Sequence, residues 1–275
     1  MKAALIDNGS LESAAHRNLR NLAAAVGARA GIPLAAVSWK HSDRIPASEL
    51  GGESAWTLAP WVRSQVANGE REFVFAPFFV SPRGAVGSAL REDLAALAME
   101  TGGFEYVFTA GLSDELAAIV IDRIDEAIAS RGLHRPSVIV VDHGGPSAVS
   151  AELRDRIAAE AFAALGDGIG PVFAASMESP EGSACSFNRP LLSEILSSPA
   201  LAAADTVVAP LFLAPGRHAG PDGDLARIAR AAEVRRAGLR CHFAGLVGTH
   251  AGVPEIISRS LRAAARSNHL QLETP

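Results

Sequence analysis

Cysteine is scarce in this chain. Cys185 and Cys241 are the only two among 275 residues, and no CxxC spacing occurs. A disulfide framework and a thiolate zinc site are therefore both unexpected. Long hydrophobic runs are missing as well: stretches such as Val207 to Ala214 fall far short of the roughly 20 residues that span a bilayer. The opening Met1-Lys2-Ala3-Ala4-Leu5-Ile6-Asp7 meets an acid too early for a signal-peptide core, so the expectation is a cytoplasmic protein without membrane contact. Basic runs are lacking too. The net charge is −5, and scattered Lys and Arg give no stripe for a phosphate backbone, so nucleic acid is not an expected partner. Neither GxGxxG after a strand nor GxxxxGK[ST] occurs, which disfavours nucleotide enzymes. The absence of GxSxG removes the simplest hydrolase. Hinged two-domain receptors are generally secreted, and the missing leader argues against that class.

What the chain does contain is a globular composition, 48% hydrophobic and 20% charged. It also contains a repeat. Ala4-Leu5-Ile6-Asp7-Asn8-Gly9 resembles Ile139-Val140-Val141-Asp142-His143-Gly144, and Phe75 to Pro82 resembles Val208 to Pro215. Ala110-Gly111-Leu112 and Ala244-Gly245-Leu246 each precede a helical pattern. Three matches in the same order at offsets of 133 to 135 indicate a tandem duplication. The boundary is expected at Arg131 to His134, giving domains 1–133 and 134–275.

Each half alternates short apolar strands with helices. In the second, Ser137–Asp142 is β-rich, and Ser150–Leu165 places Leu153, Ile157, Ala161 and Leu165 at helical spacing. Strand Val172–Met177, helix Pro190–Leu196, strand Thr206–Leu213, helix Asp222–Arg235, strand Arg240–Ala244 and helix Pro254–Ala265 follow. The first half runs in parallel from Ala3–Asp7 to a helix over Asp114–Ser130. After about Asn268 the tail has no clear pattern. Such alternation predicts an α/β fold with parallel sheets covered on both faces.

Ligands of such sheets bind beyond the carboxyl ends of the strands. Three second-half residues stand there: His143 after the first strand, Glu178 after the second and His218 in the turn after the third. Two imidazoles and a carboxylate with open positions suit a divalent transition metal. Gly144, Gly145 and Gly216 would let a bulky planar ligand approach the backbone. Any one such histidine is ordinarily a turn or capping residue. The first half supplies a comparison, because the counterparts of His143, Glu178 and His218 are Asn8, Lys40 and Ala85, which form no metal site. One working site per chain is the expectation.

Val141-Asp142-His143-Gly144-Gly145, Pro210-Leu211-Phe212-Leu213-Ala214-Pro215-Gly216-Arg217-His218 and Leu246-Val247-Gly248-Thr249-His250 together resemble the class II chelatases, specifically CbiX-type sirohydrochlorin chelatases. The resemblance covers nearly the whole chain, strongest around the third strand of the second half. It implies two tandem chelatase-like domains facing a central cleft and ATP-independent insertion of cobalt or ferrous iron into sirohydrochlorin or a related tetrapyrrole. Related anaerobic cobaltochelatases use a His, Glu, His set, which carries over onto His143, Glu178 and His218 as metal and catalytic residues. This sequence departs from the family at Gly145, where Ser is frequent, and at Arg217, where Gly is usual. Long CbiX-type members usually keep their active histidines in the first half.

A free-base tetrapyrrole loses two N–H protons as the metal enters. Neutral imidazole can both ligate the ion and accept a proton near neutrality. The expectation is metal delivery and proton uptake by His143 and His218, charge balance or metal sharing by Glu178, and ligand distances of about 2.0–2.2 Å. Gly144, Gly145, Gly216 and Arg217 would contact the carboxylate-rich substrate, with Arg189 a weaker candidate. The metal is a substrate, and no tightly bound cofactor is expected. His250 suits a helix N-terminus, and His41 is the first-half residue that could reach the cleft. His16, His134, His242 and His269 have no supporting context. A non-catalytic metal or tetrapyrrole carrier is the alternative. The sequence leaves open the metal, the tetrapyrrole and the choice of monomer or homodimer.

Overall fold

The computed structural model describes residues 1–81, 85–112, 115–180, 183–201 and 205–272. Among these, the first sheet comprises β1 (Lys2–Asp7), β2 (Leu34–Ser38), β3 (Trp56–Thr57), β4 (Glu72–Pro77) and β5 (Glu105–Phe108), in the order β3-β2-β1-β4-β5. The second comprises β6 (Ser137–Asp142), β7 (Val172–Ser176), β8 (Asp205–Pro210) and β9 (Arg240–Phe243), in the order β7-β6-β8-β9. Every pairing within both sheets is parallel. The strand order reverses between β1 and β4, and again between β6 and β8, so each sheet has a crevice at the carboxyl ends of those two strands.

The helices are α1 (Ser13–Ala30), α2 (Leu58–Ala67), α3 (Ala85–Glu100), α4 (Leu116–Arg131), α5 (Ala148–Leu165), α6 (Leu192–Ser197), α7 (Asp224–Arg235) and α8 (Val253–Leu272). In α1, Leu19, Leu22, Ala23 and Val26 recur at three- and four-residue spacing and are buried, and Gly31 closes the helix in the left-handed conformation. The first sheet packs an aromatic core around Trp61, Phe73 and Phe75, whereas the second packs aliphatic side chains such as Val141, Leu192, Val208 and Leu225.

The duplication extends to individual hydrogen bonds. Phe78 N–H donates to the Ile6 carbonyl at 2.7 Å, and Leu211 N–H donates to the Val141 carbonyl at 2.8 Å. The first sheet's short β3 survives in the second as a single parallel bridge between Ser176 and Leu191.

Several sequence-based bounds shift. Residues 211–213 leave the sheet after Pro210, because the backbone turns towards the loop that carries His218. The expected helix from Pro190 begins at Leu192, and that from Asp222 begins at Asp224. The last helix continues to Leu272, past the expected end at Ala265. Asp114, expected to open α4, and Pro82, the last residue of one repeat match, lie outside the described residues.

The compact units do not coincide with the two sequence halves. One gathers the first sheet with residues 251 onward, and the other contains residues 115–250. Thus α8 packs with α1 and β4, where Ser258 Oγ donates to the Val26 carbonyl at 3.2 Å and Arg262 to the Arg29 carbonyl at 2.9 Å. In turn, α4 packs with α5 and β8, and Arg123 Nε donates to the Leu246 carbonyl at 3.3 Å. A division at residue 133 separates the two sheets while cutting each from one of its covering helices. No described helix is long and apolar enough to cross a membrane.

Candidate functional site

His143 leaves the carboxyl end of β6, Glu178 is the second residue after β7, and His218 lies in the loop from β8 to α7. All three therefore stand at the crevice end of one sheet. The two imidazoles meet edge to face, with ring centroids 4.7 Å apart and planes at 89°. His143 also lies against the Phe212 ring, 6.3 Å between centroids.

The tautomers follow from the partners. His143 Nδ1–H donates to the Gly144 carbonyl at 2.8 Å, because a carbonyl oxygen can only accept. His218 Nδ1–H donates to Asp224 Oδ2 at 2.6 Å. The bond to His218 is the main influence holding the Asp224 carboxyl below its ordinary range, with Arg227 adding to the effect. With Nδ1 carrying the donated proton, the neutral form of each ring has its lone pair on Nε2, the arrangement that ligates a metal.

Glu178 approaches the same edge of His143 as the Gly144 carbonyl, its Oε1 3.7 Å from Nδ1. As placed, the three residues do not converge on one point. Among the described residues no group of three His, Cys, Asp or Glu side chains is disposed to hold an ion. Glu178 and His143 are exposed side chains, and His218 is partly so. The structure brings the two histidines together and leaves the carboxylate beside one of them.

Gly144 has a different reason to be glycine from the one expected. Its φ is +83°, and a Cβ there would stand 1.8 Å from the Glu178 carbonyl oxygen. Gly9 repeats this, with φ +87° and the Lys40 carbonyl oxygen 1.7 Å from where a Cβ would stand. The close approach is thus between two strand ends of the protein itself, and it fixes the correspondence of Lys40 with Glu178. Gly145 and Gly216 do face open space. Arg217 is 81% exposed and lies 4.0 Å from Asp224. Arg189 pairs with Glu194.

A buried polar network beneath the site has no counterpart in the sequence-based expectations. Arg154 is 1% exposed on the core face of α5, among Ala151, Ile157, Ala158 and Ala161. It donates to Ser176 Oγ at 2.6 Å and to the Phe187 carbonyl at 3.1 Å, and it stands 3.6 Å from Asp142. Ser176 in turn donates to Asp142 at 2.5 Å. Burial raises the Asp142 pKa while Ser176 and Arg154 counter it. Asn188 closes on Gly145, donating from Nδ2 to its carbonyl at 2.9 Å. The network ties together the ends of β6 and β7, from which His143 and Glu178 emerge. An Arg at the 151, 154, 158, 161 spacing of a buried face was the available signal.

Two other histidines face carboxylates. His242 Nε2 lies 2.8 Å from Asp205, and His250 Nε2 lies 3.6 Å from Asp122. His16 is buried beside Ser38, and His41 is exposed with φ +73°.

These features define a duplicated parallel α/β protein with a pair of histidines at the strand ends of one half only. The CbiX family model matches residues 138–264, which hold both histidines. The fold of the whole chain is that of two similar structures. One is SirB from Bacillus subtilis with Fe3+, 13% identical, with TM-score 0.67 and 98% of each chain covered. The other is CbiX, described as the terminal enzyme for biosynthesis of siroheme in denitrifying bacteria, 18% identical, with TM-score 0.62 and 96% of this chain and 99% of that one covered. SirB from the subspecies spizizenii in complex with cobalt is also similar, at 13% identity and TM-score 0.65, with 98% of each chain covered. No curated protein sequence matches the chain.

Proposed function

We propose that this protein inserts a divalent metal, cobalt or ferrous iron, into sirohydrochlorin or a related tetrapyrrole without ATP. One observation carries the proposal: two imidazoles meet edge to face at 4.7 Å, each with Nδ1 engaged and Nε2 left as a base. Such a pair can hold a divalent ion loosely through Nε2, at about 2.0–2.2 Å in the bound state. It can then take up the two protons that leave the macrocycle, one on each ring. Glu178, beside His143, balances charge or shares the ion by rotating its exposed side chain. The open backbone at Gly145 and Gly216 admits a planar ligand, and Arg217 offers a cation to its carboxylates. The similar structures with Fe3+ and with cobalt support these metals as substrates. His/His/carboxylate chemistry does not choose between them, because supply governs selectivity.

The direct test is absorbance-monitored turnover by purified protein given sirohydrochlorin and cobaltous or ferrous ion under anaerobic conditions. Multiple turnovers above the uncatalysed rate are expected. Cobalt or sirohydrochlorin binding with no turnover would replace the enzyme with the carrier reading.

A further inference from the structure

We infer that Asp224 is a positioning residue for His218, fixing its tautomer and holding its ring against that of His143. This inference rests on the proposed role of His218 in metal handling and adds a residue to it.

Between β8 and α7 the backbone doubles back, so that Leu225 N–H donates to the His218 carbonyl at 3.1 Å and Asp224 N–H to the Arg217 carbonyl at 3.2 Å. Gly223 permits the approach, since a Cβ there would lie 2.6 Å from the His218 carbonyl oxygen. The main chain of His218 is thereby tied to the first turn of α7. Its side chain is tied to the same turn by the 2.6 Å bond from Nδ1–H to Asp224 Oδ2. The two ties restrict the ring's rotation and place the proton on Nδ1.

Asp224 is itself held. Arg227, one turn along α7, pairs with its other oxygen, and Arg217 lies 4.0 Å from Oδ2. The pairing with Arg227 fixes the carboxylate on the first turn of α7, and a carboxylate can only accept. Were the ring free to exchange tautomers, an Nδ1 lone pair would aim at the carboxylate and Nε2–H at the incoming ion. The acidic partner excludes that state by repulsion. A carboxylate behind a ligating imidazole is a general means of fixing ring orientation and raising ligand basicity, worth about 10–100-fold in metal affinity or activity. The arrangement at His143 is different: its Nδ1–H goes to a carbonyl, and Glu178 stands 3.7 Å away.

The experiment combines nitrogen NMR of the imidazoles with cobaltous-ion titration and insertion kinetics for the wild type, Asp224→Ala, Asp224→Asn and His218→Ala. In the wild type, the His218 signals should report the Nδ1–H form as the dominant neutral species. Asp224→Ala should mix the tautomers and weaken both cobalt affinity and turnover by about 10–100-fold, with its thermal midpoint close to that of the wild type. Asp224→Asn keeps an acceptor oxygen and should recover most of the loss. An Nε2–H form in the wild type, or Asp224→Ala with unchanged tautomer and turnover, would overturn the inference. Should Asp224→Ala fail to fold, the wild-type spectrum and Asp224→Asn decide. His218→Ala separates the two levels: if it retains full insertion, the site reading itself falls. If it is inactive while Asp224→Ala is normal, only the positioning role falls.

Discussion

The first and second halves place different chemistry at the same strand ends. After β1 stands Asn8, and after β6 stands His143; Lys40 follows β2 where Glu178 follows β7. Lys40 is occupied locally, its amine 3.9 Å from the Trp39 ring centroid and 3.6 Å from Asp93, while Trp39 Nε1–H donates to the same carboxylate at 2.8 Å. The supporting layer differs as well. Both halves bury an Asp–Ser pair, Asp7 with Ser38 and Asp142 with Ser176. The second half adds the guanidinium of Arg154. The first half sets His16 there, with Nδ1 3.4 Å from Ser38 Oγ and Nε2 buried without a hydrogen bond. The framework has been kept in both halves, but a charge-compensated floor and two imidazoles occur in only one.

The largest break in this comparison should come from Arg154→Leu. It leaves the Asp142 carboxylate buried with no counter-charge, a change worth about 3–5 kcal/mol. Urea unfolding followed by circular dichroism should show it, and adding Asp142→Asn should restore part of the loss. An undiminished midpoint for Arg154→Leu would mean that the network carries no stability. Next in size is the contrast between His143→Ala and Asn8→Ala in insertion assays. The former should lose about a hundredfold or more, while the latter stays within about twofold of wild type; equal activities would remove the asymmetry between the halves.

A smaller effect separates the two buried pairs by pH. Burial raises the Asp7 carboxyl to about 6, so the folded state holds its proton longer than the unfolded chain does. Asp7 therefore makes stability fall as pH rises from about 4 to about 6, with no further change above. Burial, aided by Arg20, lowers His16 to about 4. That residue makes stability fall in the opposite direction, as pH drops from about 6.5 to about 4. The slopes oppose each other in the wild type. Asp7→Asn should gain about 1–3 kcal/mol at pH 7 and expose the acid-side loss from His16. All three tryptophans, Trp39, Trp56 and Trp61, lie in the first half, so fluorescence reports on this region. A pH-independent difference between Asp7→Asn and wild type would refute the assignment. The smallest effect is expected for Lys40→Glu: cobalt affinity within about twofold of wild type, because the exposed Lys40–Asp93 pair contributes little and Asn8 offers no imidazole.

Much of this was legible in the sequence, for physical reasons. Strands such as Ile139-Val140-Val141 are apolar throughout because helices cover both sheet faces, and the site residues stood out because strand ends are where side chains meet a crevice. The partners of those residues were harder to see. Asp224 sits six positions from His218, a spacing with no regular structure between them; only the doubled-back loop joins them. Arg154 was hidden by its type, since a charged residue on an amphipathic helix is ordinarily assigned to the solvent face. Gly144 stands out beside His143, yet ligand access is not what requires it: its counterpart Gly9 keeps the same conformation where no histidine follows β1.

The exchange of α4 and α8 bears on how the chain comes into being. During synthesis, the second sheet finds its helix already made, because α4 precedes it. The first sheet must wait for α8, which follows the whole second sheet in the chain, before the surface against α1 and β4 is covered. That surface is therefore uncovered while residues 115–250 are made, a window in which association with other chains competes with folding. Premature termination before residue 253 would damage the half that lacks the histidines while leaving the family-matched half nearly whole.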